Sequence, residues 1–272
     1  MQTLIQHSLD SDIAQQISSD FKQLSTHIRH QVETIDIEAL RAQHQTDFNY
    51  LPAVNIDQIK LFVSDMDSTL ISIECIDEIA DFANFKPEVA EITERAMQGE
   101  LDFDASLAQR VALLKDLDIS TLEQVYNDRL SVNPGGVELI EFLSARAIKS
   151  AVVSGGFTYF TNRLANEIGL DYARANTLGV ENNKLTGLTQ GKVINAHAKA
   201  DFVRELCQKH GLDLEQVIVA GDGANDLEMM NIAGISVAYH AKPKVYAQAD
   251  IAINYGGLDK IIDLFNPSSY VD

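Results

Sequence analysis

Two carboxylates one residue apart, Asp65 and Asp67, close a short apolar run at residues 59–63. Residues two apart on an extended strand face the same side. Both side chains therefore point at one site if strand geometry holds through Asp67. Carboxylates so crowded repel, and a bound proton or a hard cation such as Mg²⁺ relieves them. Alone, the pair fits equally well a polar turn that closes a strand, with Asp67 or Ser68 capping the next helix. Two further strand-like segments end in the same manner. Residues 149–153 run into Ser154-Gly155-Gly156, and residues 216–220 into Gly221-Asp222-Gly223-Ala224-Asn225-Asp226, with Lys199 on a helical segment between them. This set supplies what phosphoryl transfer needs. One carboxylate can act as nucleophile and a second can protonate the leaving alcohol and later activate water. Acidic residues from another loop complete an oxygen site for a metal. Ser154 and the N–H groups around Gly155 can hold phosphate oxygens beside a helix N-terminus, while Lys199 offsets their charge. Each piece also has a plain reading: Ser-Gly-Gly as a strand-to-helix turn, Lys199 as a solvated charge, Asp222, Asn225 and Asp226 as turn formers and caps. Their coincidence at three strand ends argues for an active site.

Such a site needs an open parallel sheet, whose strand C-termini form the ligand crevice. From residue 131 onward, short apolar strands alternate with helical segments, and a hairpin is expected at 173–180 and 184–189. The pattern predicts an α/β fold with a Rossmann-like, doubly wound parallel sheet. Residues 74–130 carry four helical segments (74–82, 87–97, 103–114 and 121–130) and no convincing strand. They are expected to form an inserted cap over the strand ends, able to exclude water and choose substrates. The core then comprises 56–73 and 131–272. In residues 1–55, Ile13, Ile17, Phe21, Leu24 and Ile28 recur at three- and four-residue steps, and a second patch follows at 35–42. This predicts a helical N-terminal arm. His27, His30 and His44 lie in it and read as solvated surface histidines rather than a metal cluster.

The 272 residues carry 21 basic and 40 acidic side chains, a formal charge of −19. That argues against nucleic acid or an anionic membrane surface as partner, because counterion release needs many basic residues. An anionic substrate must then be held by local groups. There is no signal-peptide pattern and no apolar run of transmembrane length. Two cysteines, Cys75 and Cys207, form no disulfide framework. A cytoplasmic, enzyme-sized protein is expected; a homodimer is left open.

Asp-x-Asp-x-Thr at 65–69, Ser154, Lys199 and Gly-Asp-Gly-x-Asn-Asp at 221–226 resemble the haloacid dehalogenase superfamily. Residues 65–80, 91–103, 106–111, 221–227 and 238–245 are further similar to its phosphoserine phosphatase family, over about 58–265 in all. The resemblance implies an aspartyl-phosphate mechanism that converts O-phospho-L-serine to serine and phosphate, the last step of serine biosynthesis. It makes Asp65 the nucleophile and Asp67 the general acid/base. It assigns Mg²⁺ to Asp65, the Asp67 carbonyl and Asp222, with Asp226 in support. It assigns the phosphoryl group to Ser154, Gly155 and Lys199, and places Asn225 at the substrate. Glu74 and Arg110 would read the ammonium and carboxylate of the serine part, a pairing that suits a carboxylate and a bidentate guanidinium. Without the resemblance, those two read as helix-face charges. Phe103 and Met97 would give the cap an apolar wall. Transfer of the phosphoryl group to another alcohol such as homoserine, action on another small phosphomonoester, and a binding module with a dead site are the alternatives. Some relatives carry an N-terminal regulatory region of βαββαβ pattern; residues 1–55 read as too short and too helical for it.

Overall fold

The computed structural model describes residues 1–97 and 100–265, the Met97 side chain excepted. Its first fifty residues are not a helical arm. They run β1 (Gln2–Gln6), α1 (Ser11–Ile17), β2 (Phe21–Gln23), β3 (Ile28–Val32), α2 (Ile37–His44) and β4 (Phe48–Tyr50). This is the βαββαβ pattern that the sequence reading set aside, folded as a four-stranded sheet in the order β2-β3-β1-β4. The apparent helical spacing is divided among three elements. Ile13 and Ile17 belong to α1, which stops at Ser18 where the backbone turns extended (φ −160°, ψ 146°). Phe21 and Ile28 lie on separate strands joined by a turn that holds Leu24. Along β1, Leu4 packs into the small sheet's own core with Val32 and Phe48, whereas Ile5 joins the main core. A strand buried on both faces loses the alternation that marks it in sequence.

His27 and His30 are buried rather than solvated. The inner face of the small sheet rests on the end of the chain, where Asp263 receives His7 Nδ1 at 2.9 Å and His27 Nδ1 at 3.1 Å. Burial opposes the Asp263 charge, but the bonds from His27 and His7 hold its carboxyl well below the usual range. Arg29 donates to the carbonyls of Asp263 and Phe265, each at 2.9 Å. The small sheet is thereby tied to the core through buried polar contacts that only the tertiary fold creates.

The core follows in the expected order. β5 (Leu61–Ser64) leads into four helices, α3 (Cys75–Phe82), α4 (Lys86–Met97), α5 (Phe103–Ala112) and α6 (Ser120–Asp128). Then come α7 (Gly136–Ala145), β6 (Lys149–Phe157), α8 (Thr158–Ile168), β7 (Tyr172–Glu181), β8 (Lys184–Gln190), α9 (Ala196–His210) and β9 (Val217–Gly221). The chain ends with α10 (Leu227–Met230), β10 (Ile235–Tyr239), α11 (Pro243–Tyr246) and β11 (Ile251–Ile253), and a 3₁₀ segment, Leu258–Leu264, where a last helix was expected. The seven strands order as β11-β10-β9-β5-β6-β7-β8. All pair parallel except β8, which returns antiparallel on β7 as the hairpin predicted. β5, the first strand of this sheet, sits at its centre because its residues are apolar on both faces: Phe62 belongs to one core layer, Leu61 and Val63 to the other. The α5–α6 connection is braced on the hairpin, where Leu117 and Leu185 exchange a backbone hydrogen bond with Asp116 alongside. Among the described residues no helix is long and apolar enough to cross a membrane.

Candidate active site

The three strand ends converge. β5 stops at Ser64, so strand geometry does not hold through Asp67 as expected. Asp65 is still extended (φ −63°, ψ 161°), and Ser68 then turns left-handed at φ 56°. That tight turn sends the two carboxylates to different partners. Asp65 is buried; its Oδ1 accepts the Met66 N–H at 2.7 Å and meets Lys199 Nζ at 2.8 Å. Asp67 Oδ1 accepts the Cys75 N–H at 2.7 Å, and its Oδ2 accepts the Ser154 hydroxyl at 2.8 Å. Ser154 Oγ in turn accepts the Gly156 N–H at 2.7 Å, and because β6 runs on to Phe157 rather than turning at Ser154 as expected, its last residues are wired directly to Asp67.

Lys199 comes from α9, whose N-cap Asn195 accepts the Ala198 N–H. Its ammonium is fully buried between Asp65 and Asp226, 2.7 Å from Asp226 Oδ1. Burial works against its charge, but the Asp226 and Asp65 carboxylates outweigh burial and hold Lys199 protonated. Asp226 Oδ2 accepts the N–H groups of Asp222 and Gly223 at 3.2 and 3.0 Å, which shapes the third loop. Asp222 Oδ1 accepts the Thr69 hydroxyl at 3.1 Å.

Asp65, Asp222 and Asp226 form a buried acidic group whose ligand atoms lie within 4.8 Å of one another. Burial and then Asp226 push Asp65 well up, and the same two causes push Asp222 up to about 6. Three carboxylates crowd around one buried ammonium, a local deficit of positive charge. An all-oxygen site with that deficit fits a hard divalent cation, which would reverse the upward shifts. Asp226 has both oxygens engaged, one by Lys199 and the other by the loop.

Beside this floor lie residues of the four-helix segment α3–α6 and of the loop that leads into it. Glu74 accepts the Ser68 hydroxyl at 2.7 Å, and burial, then the Asp67 charge, raises it to about 7. Arg110 is half-buried on α5, and its one hydrogen bond among the described residues is Nε to the Ser106 carbonyl at 3.4 Å. It feels Asp77, Glu74 and Asp67 but pairs with none of them within 4.0 Å, which leaves its fork open. Phe103 lies over Gly155, where a Cβ would come within 2.8 Å of Phe103 Cζ. Met97, the other expected wall residue, has its side chain outside the described residues. Asn225 is half-buried and makes no side-chain hydrogen bond among the described residues.

The sequence reading missed several supports. A Cβ on Gly156 would meet Asp67 Oδ2 at 2.7 Å, so the second glycine is required by the carboxylate beside it. Thr69 was legible from its place in the first motif. Asn133, which donates to the carbonyls of Thr69 and Ile71 at 2.8 and 3.0 Å, carried no local signal. Neither did Asn176 on β7.

A family model described as haloacid dehalogenase-like hydrolase matches residues 59–234. A phosphoserine phosphatase of Polaromonas sp. is 48% identical over 218 residues, 78% of this chain and 92% of its own length. A probable phosphoserine phosphatase of Vibrio cholerae, solved unliganded, has a TM-score of 0.85 at 39% identity, over 96% of this chain and 85% of that one. A phosphoserine phosphatase solved as an analogue of its phospho-aspartyl intermediate is 42% identical, with a TM-score of 0.72 over 76% of this chain and 99% of that one. With a family match across the strands and loops that carry the site, and relatives this similar over nearly their whole lengths, the chain belongs to the haloacid dehalogenase-like hydrolases, in their phosphoserine phosphatase family.

Proposed function

We propose that this chain is a phosphoric monoester hydrolase that cleaves O-phospho-L-serine to L-serine and phosphate, the closing step of serine biosynthesis. The observation that carries the reading is the division of labour between the two aspartates. Asp65 sits against a buried ammonium, and Asp67 sits in a hydrogen-bonded cradle made by Ser154 and the Cys75 N–H. In the first step an Asp65 oxygen forms a bond to phosphorus, the bond from phosphorus to the serine oxygen breaks, and the Asp67 carboxyl gives its proton to that oxygen. In the second, the Asp67 carboxylate takes a proton from water, the water oxygen bonds to phosphorus and the bond to Asp65 breaks. Lys199, Ser154 and the Gly155 N–H hold the phosphoryl oxygens, and Asn225 reaches toward the substrate. Mg²⁺ held by Asp65, Asp222 and the Asp67 carbonyl would supply charge neutralisation at the phosphoryl group. Glu74 takes the substrate ammonium and Arg110 its carboxylate, and the cap formed by α3–α6 thereby selects the amino acid. The buried thiols of Cys75 and Cys207 suit a reducing, cytoplasmic setting.

The test is phosphate release from O-phospho-L-serine with Mg²⁺, compared with EDTA and with a panel of sugar and nucleotide phosphates. Fast, metal-dependent release confined to phosphoserine is expected. Release only from other esters would remove Glu74 and Arg110 as readers of the serine part. Homoserine phosphate formed when homoserine is added would point to transfer rather than hydrolysis.

The pH profile adds a second check. Glu74 binds an ammonium only when ionised, and burial, then the Asp67 charge, raises its pKa to about 7 in the metal-free protein. Substrate should hold it ionised once bound. So kcat/KM is expected to rise as pH passes up through about 7, while kcat stays flatter across the same interval. Glu74→Gln should flatten that rise in kcat/KM; an unchanged profile in the variant would detach the titration from Glu74.

A further inference from the structure

Asn176 lies on β7, two strands from β5, which leads into the catalytic carboxylates, and the residue is 2% exposed. The ladder between β6 and β7 slips between Val153 and Phe157, across the Ser154-Gly155-Gly156 stretch of β6. At that slip the Asn176 amide takes over the pairing. Its Nδ2 donates to the Gly155 carbonyl at 2.8 Å, and its Oδ1 accepts the Ile194 N–H at 2.8 Å. Ile194 immediately precedes Asn195, the cap of the helix that carries Lys199, and the Lys199 N–H closes the first turn on the Asn195 carbonyl at 2.9 Å. One buried amide thus links the irregular end of β6 that presents Ser154 to the helix start that presents Lys199. The cap lands on the same two segments: Phe103 rests on Gly155, and Asp104 accepts from Asn195 Nδ2 at 3.1 Å.

We propose that Asn176 is a positioning residue that sets the Ser154–Gly155 end of β6 and the Lys199 helix at the one separation that grips a phosphoryl group, and levels the landing surface for the cap. The inference rests on the phosphatase reading of this site, but not on the choice of substrate. A buried side-chain amide that donates and accepts at once fixes two backbone segments in a way no apolar residue of its size can. A carboxylate in its place keeps the acceptor for Ile194 and turns the donor into a repulsion against the Gly155 carbonyl.

The experiment uses the full chain with Asn176→Asp and Asn176→Ser. Inhibition by inorganic phosphate, kcat/KM on phosphoserine and on p-nitrophenyl phosphate, and Tm are read for each. Misplacement of the gripping groups is expected to raise the phosphate Ki and lower kcat/KM on both esters by about 10- to 100-fold in Asn176→Asp. A smaller loss is expected in Asn176→Ser, where a water can bridge the gap. A residue that serves stability alone would lower Tm and leave the phosphate Ki of the folded protein unmoved. That result overturns the proposal, and so does failure of both variants to fold. If the wild type binds phosphate but does not hydrolyse phosphoserine, the substrate reading fails by itself, and the variant-to-wild-type ratio of phosphate Ki still decides the role of Asn176.

Discussion

An Asp65→Asn protein is expected to fold as the wild type does and to lose at least about 10⁴-fold in kcat, the scale on which removal of a covalent nucleophile acts. The amide oxygen can still accept the Met66 N–H that now holds Asp65 Oδ1. Lys199 keeps Asp226 at 2.7 Å, so its charge stays paired. The substitution also removes one of three crowded carboxylates, which relieves the repulsion from Asp226 that pushes Asp65 up. The Tm of the metal-free variant should therefore equal or exceed that of the wild type, and the difference should grow with pH as the remaining carboxylates ionise. Activity is measured as single-turnover phosphate release, and stability as Tm in EDTA. Phosphoserine turnover by a pure, folded Asp65→Asn protein would end the nucleophile assignment. A large drop in Tm would mean that Asp65 holds the fold together rather than sitting in it at a cost.

The contrast between the two sheets shows what sequence can carry. The candidate site was legible because three of its groups close apolar runs: Asp65 after β5, Ser154 late in β6, Asp222 after β9. A polar residue just past a buried strand has few structural explanations, and three of them at one sheet edge have fewer. The supports behave otherwise. Asn176 and Asn133 are single amides whose partners, Ile194 with Gly155 and Ile71 with Thr69, lie 18 to 64 residues away or across a ladder slip. Nothing local marks them. The small sheet was illegible for a different reason. β2 and β4 are three residues long, too short for a period to register. His7 and His27 there gain their partner from Asp263, more than two hundred residues on. The βαββαβ order in residues 2–50 was thus hidden by short strands and by a two-faced β1, although the chain is long enough to hold it.

Removal of the Lys199 ammonium is the second large effect, and its sign on stability is opposite to that of Asp65→Asn. Lys199→Met keeps the length and the apolar stem of a fully buried side chain while deleting the positive end between Asp65 and Asp226. Two buried carboxylates then lose their counter-charge, a change that typically costs about 3–5 kcal/mol. The folded-state pKa of Asp65, already raised by burial, moves further up, so the folded variant binds a proton that the unfolded chain does not. Its stability must fall as pH rises above the ordinary carboxylate range, and part of the loss should be recovered near pH 5. A divalent cation that binds the acidic group would raise the Tm of Lys199→Met by more than that of the wild type, because it replaces the missing charge. Turnover should not recover with stability. The charge that meets the phosphoryl oxygens is gone, a loss of about 10²–10³-fold in kcat for a single preorganised donor. Tm measured from pH 5 to 8 with and without Mg²⁺, beside kcat at saturating substrate, separates the two roles. Equal destabilisation at pH 5 and pH 8 would show that Lys199 acts by packing. Full activity in a variant stabilised by Mg²⁺ would show that its charge serves the fold and not the phosphoryl group.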